Sequence, residues 1–358
     1  MTIESEGSRA RRYPYIDVVR FICAASVMLF HFGFVAPVPG YELPASYVIM
    51  PWLTLYGQFG VHIFFVISGF VIAISIEGKG FSAFAWARFL RLYPAYWFAV
   101  ICTTIVLILA GSDRALSWSQ VTVNMTMLQS FVNIPDVDGV YHTLAIELRF
   151  YLMIILLAML RLKPTSPAVI GGWLACCLAS YMLPSIFGKV VMAAWAPYFL
   201  AGMTIKSLID RSHQPLKIIF LGCAILLEWK IASEHAGRRF AGYNTEIACF
   251  VVLAGTLLVW ICAVAPNPKR FVPALTTIGG MTYPLYLLHS ENGVTFMRWL
   301  VPYLPAWLNI CLCIGLCILT AYLVSRGPER AIRHWTKAAG ERLWANTGRF
   351  PKPAMDKI

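Results

Sequence analysis

Charged side chains are scarce in this chain of 358 residues. Asp, Glu, Lys and Arg make up 13% of it, whereas they make up about 25% of an ordinary soluble domain. Hydrophobic residues make up 59%, above the average of about 45–50%. Ten apolar segments of about 20 residues would use more than half of the chain. The composition therefore predicts an all-α polytopic membrane protein with short loops and no separate globular domain.

Several other features are missing. No CxxC pair and no Cys/His set has metal-ligand spacing outside an apolar run, so the ten cysteines are interpreted as small core residues and no metal site is expected. The sequence has no tandem repeat and no low-complexity segment. The apolar run after Arg9, Arg11 and Arg12 is too long for a signal peptide and lacks a small-x-small cleavage site. We therefore interpret it as an uncleaved first span.

Basic residues are distributed unevenly between the two sides of the predicted spans. With the N-terminus in the cytoplasm, 21 of the 29 Lys and Arg residues fall on the cytoplasmic side, six fall outside, and Arg20 and Arg149 lie within spans. This positive-inside bias predicts ten spans with both termini cytoplasmic, and it explains the net charge of +12 without a nucleic-acid partner. The predicted spans are residues 16–36, 55–76, 88–110, 142–160, 168–187, 190–206, 215–231, 246–265, 274–290 and 306–325.

Residues 118–134 are only moderately apolar, and polar side chains such as Gln120, Asn124 and Gln129 are spread through them. We interpret this segment as interfacial or re-entrant. Counting it as a span would place Arg161 outside and invert the topology that follows. The predicted organisation is a transmembrane domain over residues 1–330 and a basic cytoplasmic tail over residues 331–358.

The first span carries two ionisable residues, Arg20 and His31. Eleven helical residues make three turns plus about 20°, so both side chains lie on one face, about 16 Å apart along the axis. The alternative is that Arg20 snorkels to the inner headgroups while His31 lies near the outer interface. Because ionisable groups inside spans usually face a bundle interior or a wet cavity, the pair on one face favours a function.

Four further places hold polar groups at membrane depth. His62 lies in the outer half of span two, where a helix-to-helix hydrogen bond is the alternative role. Arg88 and Arg91 share a face at the inner edge of span three; they suit either a phosphate ligand or a topology anchor. Glu147 lies one and a half turns into span four and needs a partner or a proton. His289 ends span nine and is either catalytic or simply interfacial.

Taken together and in this order, five pieces of the sequence resemble the acyltransferase-3 family of membrane O-acyltransferases, which includes bacterial enzymes that O-acetylate surface glycans. The pieces are Arg20-x10-His31, residues 64–70, residues 88–97, residues 143–147 with Phe150 and Tyr151, and residues 286–289. The sequence departs from the usual family pattern at His142, Leu148 and Arg149.

The resemblance implies ten spans in a bacterial cytoplasmic (inner) membrane. It also implies a cytoplasmic acyl-CoA donor and a hydroxyl acceptor outside, usually the sugar of a polysaccharide, lipooligosaccharide or other glycan. Acetyl-CoA is favoured as donor because acetyl transfer is frequent in the family, and no permanently bound cofactor is expected. The residues implied to be functional are Arg20, His31, Arg88, Arg91 and Glu147.

These residues suggest a mechanism. Arg20, Arg88 and Arg91 would hold the CoA phosphates, and a neutral His31 would take the proton from the acceptor hydroxyl as general base. Glu147 would orient His31, stabilise its imidazolium or bind the acceptor. Direct transfer and an acyl-His intermediate both remain open. The residues expected to support this site or the acceptor are His62, Ser68, His142 and His289.

The main alternative from another functional class is a secondary transporter that uses the buried His, Arg and Glu as a proton or anion pathway. It is less favoured because corresponding halves of the chain lack paired Gly/Pro-broken helices. A purely structural membrane subunit is a more distant alternative. Release of free thiol from acyl-CoA in the presence of an acceptor distinguishes an acyltransferase from both.

Overall fold

A computed structural model describes most of the chain, and its regular structure is helical throughout the described residues. The described residues are 13–35, 43–111, 116–210, 214–239, 244–268, 270 and 272–345. The N-terminal Arg9, Arg11 and Arg12, the last residue of the first predicted span with the beginning of the first loop (residues 36–42) and the end of the predicted tail (residues 346–358) lie outside the described residues.

Fifteen α-helices are present in the described part of the chain. They are α1 (Pro14–Phe30), α2 (Pro51–Thr54), α3 (Gly60–Ile76), α4 (Phe81–Leu109), α5 (Trp118–Met125), α6 (Tyr141–Met159), α7 (Pro167–Ala179), α8 (Ser185–Val190), α9 (Ala196–Ile209), α10 (Gln214–Arg239), α11 (Thr245–Val264), α12 (Val272–Leu288), α13 (Glu291–Leu300), α14 (Ala306–Arg326) and α15 (Pro328–Ala345).

Each of the ten apolar runs predicted to cross the membrane overlaps at least one of these helices. Six helical segments among the described residues are long and apolar enough to span a bilayer; they begin at Pro14, Pro51, Phe81, Tyr141, Thr245 and Ala306. These helices confirm the predicted all-α architecture. Its physical reason is that a backbone inside lipid must satisfy its hydrogen bonds within each segment. The count of ten spans and the cytoplasmic location of the termini stay predictions.

Helix α3 is central, with α1 on one side and α9 on another. The approach of α3 to α9 depends on glycine: a Cβ at Gly69 would collide with the Phe199 carbonyl, and a Cβ at Gly202 would collide with the Val66 carbonyl. Small residues that let helix backbones approach closely are typical of packing in membranes. This contact fixes the position of α3 and therefore of Ser68, which precedes Gly69.

The segment at residues 118–134 turns back into the helix bundle. Helix α5 has only eight residues, about 12 Å, which is too short to cross a bilayer. Thr103 of α4 is level with the start of α6, since its hydroxyl lies 3.3 Å from that of Tyr141. Trp97 lies on α4 six residues before Thr103, about 9 Å closer to the N-terminus of the helix, and it donates to the Met125 carbonyl. Of the two sequence interpretations, the re-entrant one therefore fits these contacts better.

Two helices of ten residues or more lie where the sequence predicted none. Helix α13 follows α12 directly, and most of its first turns are buried. Helix α15 includes the beginning of the predicted tail and packs along α4, where a Cβ at Gly340 would meet the Trp86 ring. As a result Glu329, at the start of α15, lies beside Arg91, with 3.8 Å between the charged atoms.

Candidate active site

His31 lies where the first helix changes geometry. Helix α1 is regular through Phe30, so the predicted spacing of about 16 Å between Arg20 and His31 is retained. Residues His31–Val35 continue as one π-helical turn. Single π turns inside or after α-helices are frequent at functional sites, since they re-aim the side chains that follow.

The structure brings His31 and His289 together, although they are 258 positions apart. His31 Nδ1 lies 3.0 Å from His289 Nε2 and 2.9 Å from the Val27 carbonyl oxygen. His289 is fully buried, and its Nδ1 lies 3.1 Å from the Leu285 carbonyl oxygen and 2.9 Å from that of Tyr286. We call these two residues the histidine pair.

The carbonyl groups around the pair determine where its protons are. Among the described residues, the hydrogen-bond partners of His289 Nδ1 are both carbonyl oxygens, so Nδ1 carries hydrogen, and in a neutral ring Nε2 is then an acceptor. Nδ1 of His31 lies between that acceptor and the Val27 carbonyl, so it also carries hydrogen. In neutral His31 the unprotonated nitrogen is therefore Nε2.

Polar and aromatic side chains from α3, α6 and α12 lie around the histidine pair. His142 lies close enough to His31 to interact electrostatically, and its own Nδ1 is 2.6 Å from the Gly139 carbonyl oxygen. The Tyr286 ring lies 5.7 Å from the His289 ring, and its hydroxyl bonds to that of Thr143 at 2.8 Å. Phe64 packs against the same tyrosine. The predicted His142 thus lies near the histidine pair.

Asp138 is a residue near this site that the sequence analysis missed. It is fully buried in the loop before α6, where it accepts hydrogen bonds from the backbone N–H groups of Val140 and Glu291. Burial raises the pKa of the Asp138 carboxyl above its ordinary value, and the neighbouring Glu291 carboxylate adds to the increase. Asp138 thereby fastens the start of α13, directly after His289, to the start of α6.

The three predicted donor-site arginines cluster towards the opposite end of α1, and we call them the arginine cluster. Arg88 is buried and donates to the Ser75 hydroxyl at 2.9 Å. Arg91 lies over the Tyr283 ring at 5.5 Å and close enough to Arg20 to interact electrostatically. Two of these guanidinium groups face carboxylates at 3.8 Å, Arg20 with Asp17 and Arg91 with Glu329.

Glu147 lies beside the arginine cluster and not beside the histidine pair. Its Oε1 accepts hydrogen bonds from the hydroxyls of Ser68, at 2.8 Å, and Tyr151. Glu147 is also near enough to Arg20 to interact with it electrostatically. Among the described contacts of His31, the position of an orienting partner is taken by His289. Ser68 acts here as a hydrogen-bond donor that connects α3 to α6.

His62 lies on another face of α3. Its ring packs against Phe59 at 5.1 Å, Trp195 at 5.7 Å and Tyr198 at 4.9 Å between centroids. The described contacts therefore place His62 in an aromatic cluster between α3 and α9, apart from the histidine pair. They fit a packing role as well as the helix-to-helix role considered from the sequence.

The family model Acyl_transf_3, described as an acyltransferase domain, matches residues 13–326. This match contains the histidine pair, the arginine cluster and Glu147. No curated protein and no solved structure matches the chain. Because the family model covers most of the chain, the protein belongs to the acyltransferase-3 family, and this membership implies a membrane acyltransferase.

Proposed function

We propose that the protein transfers an acyl group from acyl-CoA to a hydroxyl group of a glycan at the surface of a bacterial inner membrane. The acyl group that we propose is acetyl. The donor enters from the cytoplasmic side and the acceptor from outside. The observation that carries the proposal is the histidine pair, because it leaves Nε2 of His31 unprotonated in a chain that belongs to a family of acyltransferases.

The arginine cluster is suited to the donor. CoA is rich in phosphate, and guanidinium groups bind phosphate oxygens through paired, charge-assisted hydrogen bonds. Arg20 and Arg91 face carboxylates at 3.8 Å, longer than a hydrogen bond, so phosphates can replace these partners at modest cost. The flexible arm of CoA then extends about 16 Å along α1, from Arg20 to His31.

His31 acts as the general base at the far end of this path. Nε2 removes the proton of the acceptor hydroxyl while its oxygen attacks the thioester carbonyl carbon. The C–S bond breaks, the ester forms, and the imidazolium returns its proton to the leaving thiolate. His289 accepts the hydrogen bond from His31 Nδ1, so it is a positioning residue that also stabilises the imidazolium.

The test uses the full chain, purified in nanodiscs, with acetyl-CoA and a panel of oligosaccharides. We expect thiol release that depends on the acceptor, together with acetylated product detected by mass spectrometry. His31→Gln should bind CoA normally and lose about 10²–10⁴-fold in transfer rate, because glutamine cannot act as a base. Uptake of either substrate into proteoliposomes that contain the protein, without thiol release in nanodiscs, would support the transporter alternative. A His31→Gln variant with most of its activity would exclude His31 as the base.

A further inference from the structure

A cavity of about 510 Å³ lies beside α6, away from the histidine pair. Its walls come from α6, from the segment between α7 and α9, and from the end of α10. Small-molecule sites usually measure about 300–1,000 Å³. Neither the histidine pair nor the arginine cluster contributes to its described lining. The cavity is thus a separate site of ligand size.

The side chains that line this cavity give it a positive electrostatic potential. Arg149 and Lys189 line it, and no described carboxylate forms an ion pair with either. Glu234 is the one carboxylate in the described lining, and the ammonium group of Lys230 lies 3.0 Å from it. Because that pair is neutral, Arg149 and Lys189 set the sign of the potential in the cavity.

Arg149 has binding capacity that the fold does not use. It lies eight residues after the first residue of α6, about 12 Å along the helix. Its guanidinium covers the Phe131 ring at 4.6 Å, and its buried Nε has no hydrogen-bond partner among the described residues. Ionisable residues at such depth usually pair with an opposite charge. A planar guanidinium in this state is a site for a carboxylate or phosphate group.

The other walls suit a sugar. Trp195 and Tyr181 provide aromatic rings, while Ser185 provides a hydroxyl group. Arg149 follows Glu147 by two residues on α6, about 200° around the helix, so the cavity lies on a different face of α6 from Glu147. We infer that this cavity is an acceptor subsite for an acidic saccharide, whose carboxylate or phosphate group binds Arg149 and Lys189.

This inference rests on the proposed function, in which the acceptor is a glycan. The subsite holds a sugar some distance along the acceptor chain from the reacting hydroxyl. An interaction with a remote part of a substrate is present in the ground state and in the transition state alike. Loss of the subsite should therefore raise the KM for an acidic acceptor and leave kcat nearly unchanged.

Binding can be measured without the chemistry. The His31→Gln chain in nanodiscs is titrated with hyaluronan tetrasaccharide, which is acidic, and with chitotetraose, a neutral oligosaccharide of the same length. We expect the acidic probe to bind at least about tenfold more tightly. Adding Arg149→Gln should weaken binding of the acidic probe about 10- to 150-fold, as expected for a charge-assisted hydrogen bond, and leave the neutral probe unchanged.

Matched variants control for general charge effects. Arg161→Gln and Lys163→Gln remove exposed cations that do not line the cavity, and both should bind like the parent. Lys189→Gln should have a smaller effect than Arg149→Gln, because Lys189 is exposed.

The outcomes separate this inference from the proposed function. Equal affinity for the two probes, binding of neither, or no change in Arg149→Gln would overturn the acidic-saccharide subsite even if acyl transfer is demonstrated. Selective binding through Arg149 would support the subsite even if no acyl transfer is detected, and the proposed reaction would then fail by itself.

Discussion

Replacing His289 by leucine removes the acceptor that lies 3.0 Å from His31 Nδ1 and leaves the Val27 carbonyl as the other acceptor of that hydrogen. In the proposed mechanism His31 becomes positively charged as the acceptor hydroxyl attacks. A hydrogen bond to a charged group contributes about 1.5–3 kcal/mol, which corresponds to a factor of about 10 to 150 in rate. We therefore expect kcat to fall by that factor in His289→Leu.

The assay separates this effect from a general loss of structure. The arginine cluster is at the other end of α1, so the KM for acetyl-CoA should stay within about twofold of the wild-type value. His289→Gln offers an amide oxygen as acceptor and should recover part of kcat. His334→Gln, which changes an exposed histidine on α15, is the matched control and should have no effect.

A spectroscopic measurement reads the tautomer directly. The chain has seven histidines, so selective ¹⁵N labelling gives a spectrum in which His31 can be assigned by substitution. At a pH where His31 is neutral, its Nδ1 should carry hydrogen and its Nε2 should not. A His31 that carries hydrogen on Nε2, or a His289→Leu variant with more than half of the wild-type kcat, would refute the reasoning.

Three further predictions follow from the donor site, the helix packing and the topology. Arg88→Ala and Arg91→Ala should each weaken CoA binding about 10- to 150-fold while the protein still inserts, and unchanged affinity in both would make them topology anchors. Gly69→Ala should destabilise the protein by about 1–3 kcal/mol, measured by thermal unfolding, whereas Gly222→Ala, with open space around it, should not. A single cysteine placed in loop 161–167, with Cys223 and Cys311 removed, should react only from the cytoplasmic side; labelling from outside would contradict the ten-span topology.

Much of the fold could be predicted because apolar runs in a membrane have few alternatives to the helix. The helices that the sequence missed are polar ones. Helix α13 begins with Glu291 and Asn292, which are buried and donate hydrogen bonds to Asp138 and Thr103 of other elements. The local pattern of apolar and polar residues cannot predict such contacts between residues that are far apart in the sequence. Helix α15 did carry signals, with Pro328 at its first position and an acidic residue next to it.

The site residues could be found one by one, but their grouping could not. Spacing along α1 gives the distance between Arg20 and His31, because both residues share one helix. The contact between His31 and His289 depends on the packing of α1 against α12, which no local periodicity encodes. Glu147 illustrates the same limit: its polarity signalled a site, yet its partners Ser68 and Tyr151 became known only from the fold.

The separation of the two clusters has a consequence for specificity in the proposed reaction. All acyl-CoA molecules carry the same phosphates, so the arginine cluster cannot distinguish acetyl from a longer acyl group. Selection must therefore occur about 16 Å away, where the thioester meets His31. There the described neighbours of the histidine pair include the rings of Tyr286 and Phe64, which pack against each other with centroids 5.7 Å apart. Because the Tyr286 hydroxyl is held by Thr143, this wall cannot move away without breaking a buried hydrogen bond, and in the proposed reaction we expect it to limit the length of the acyl group.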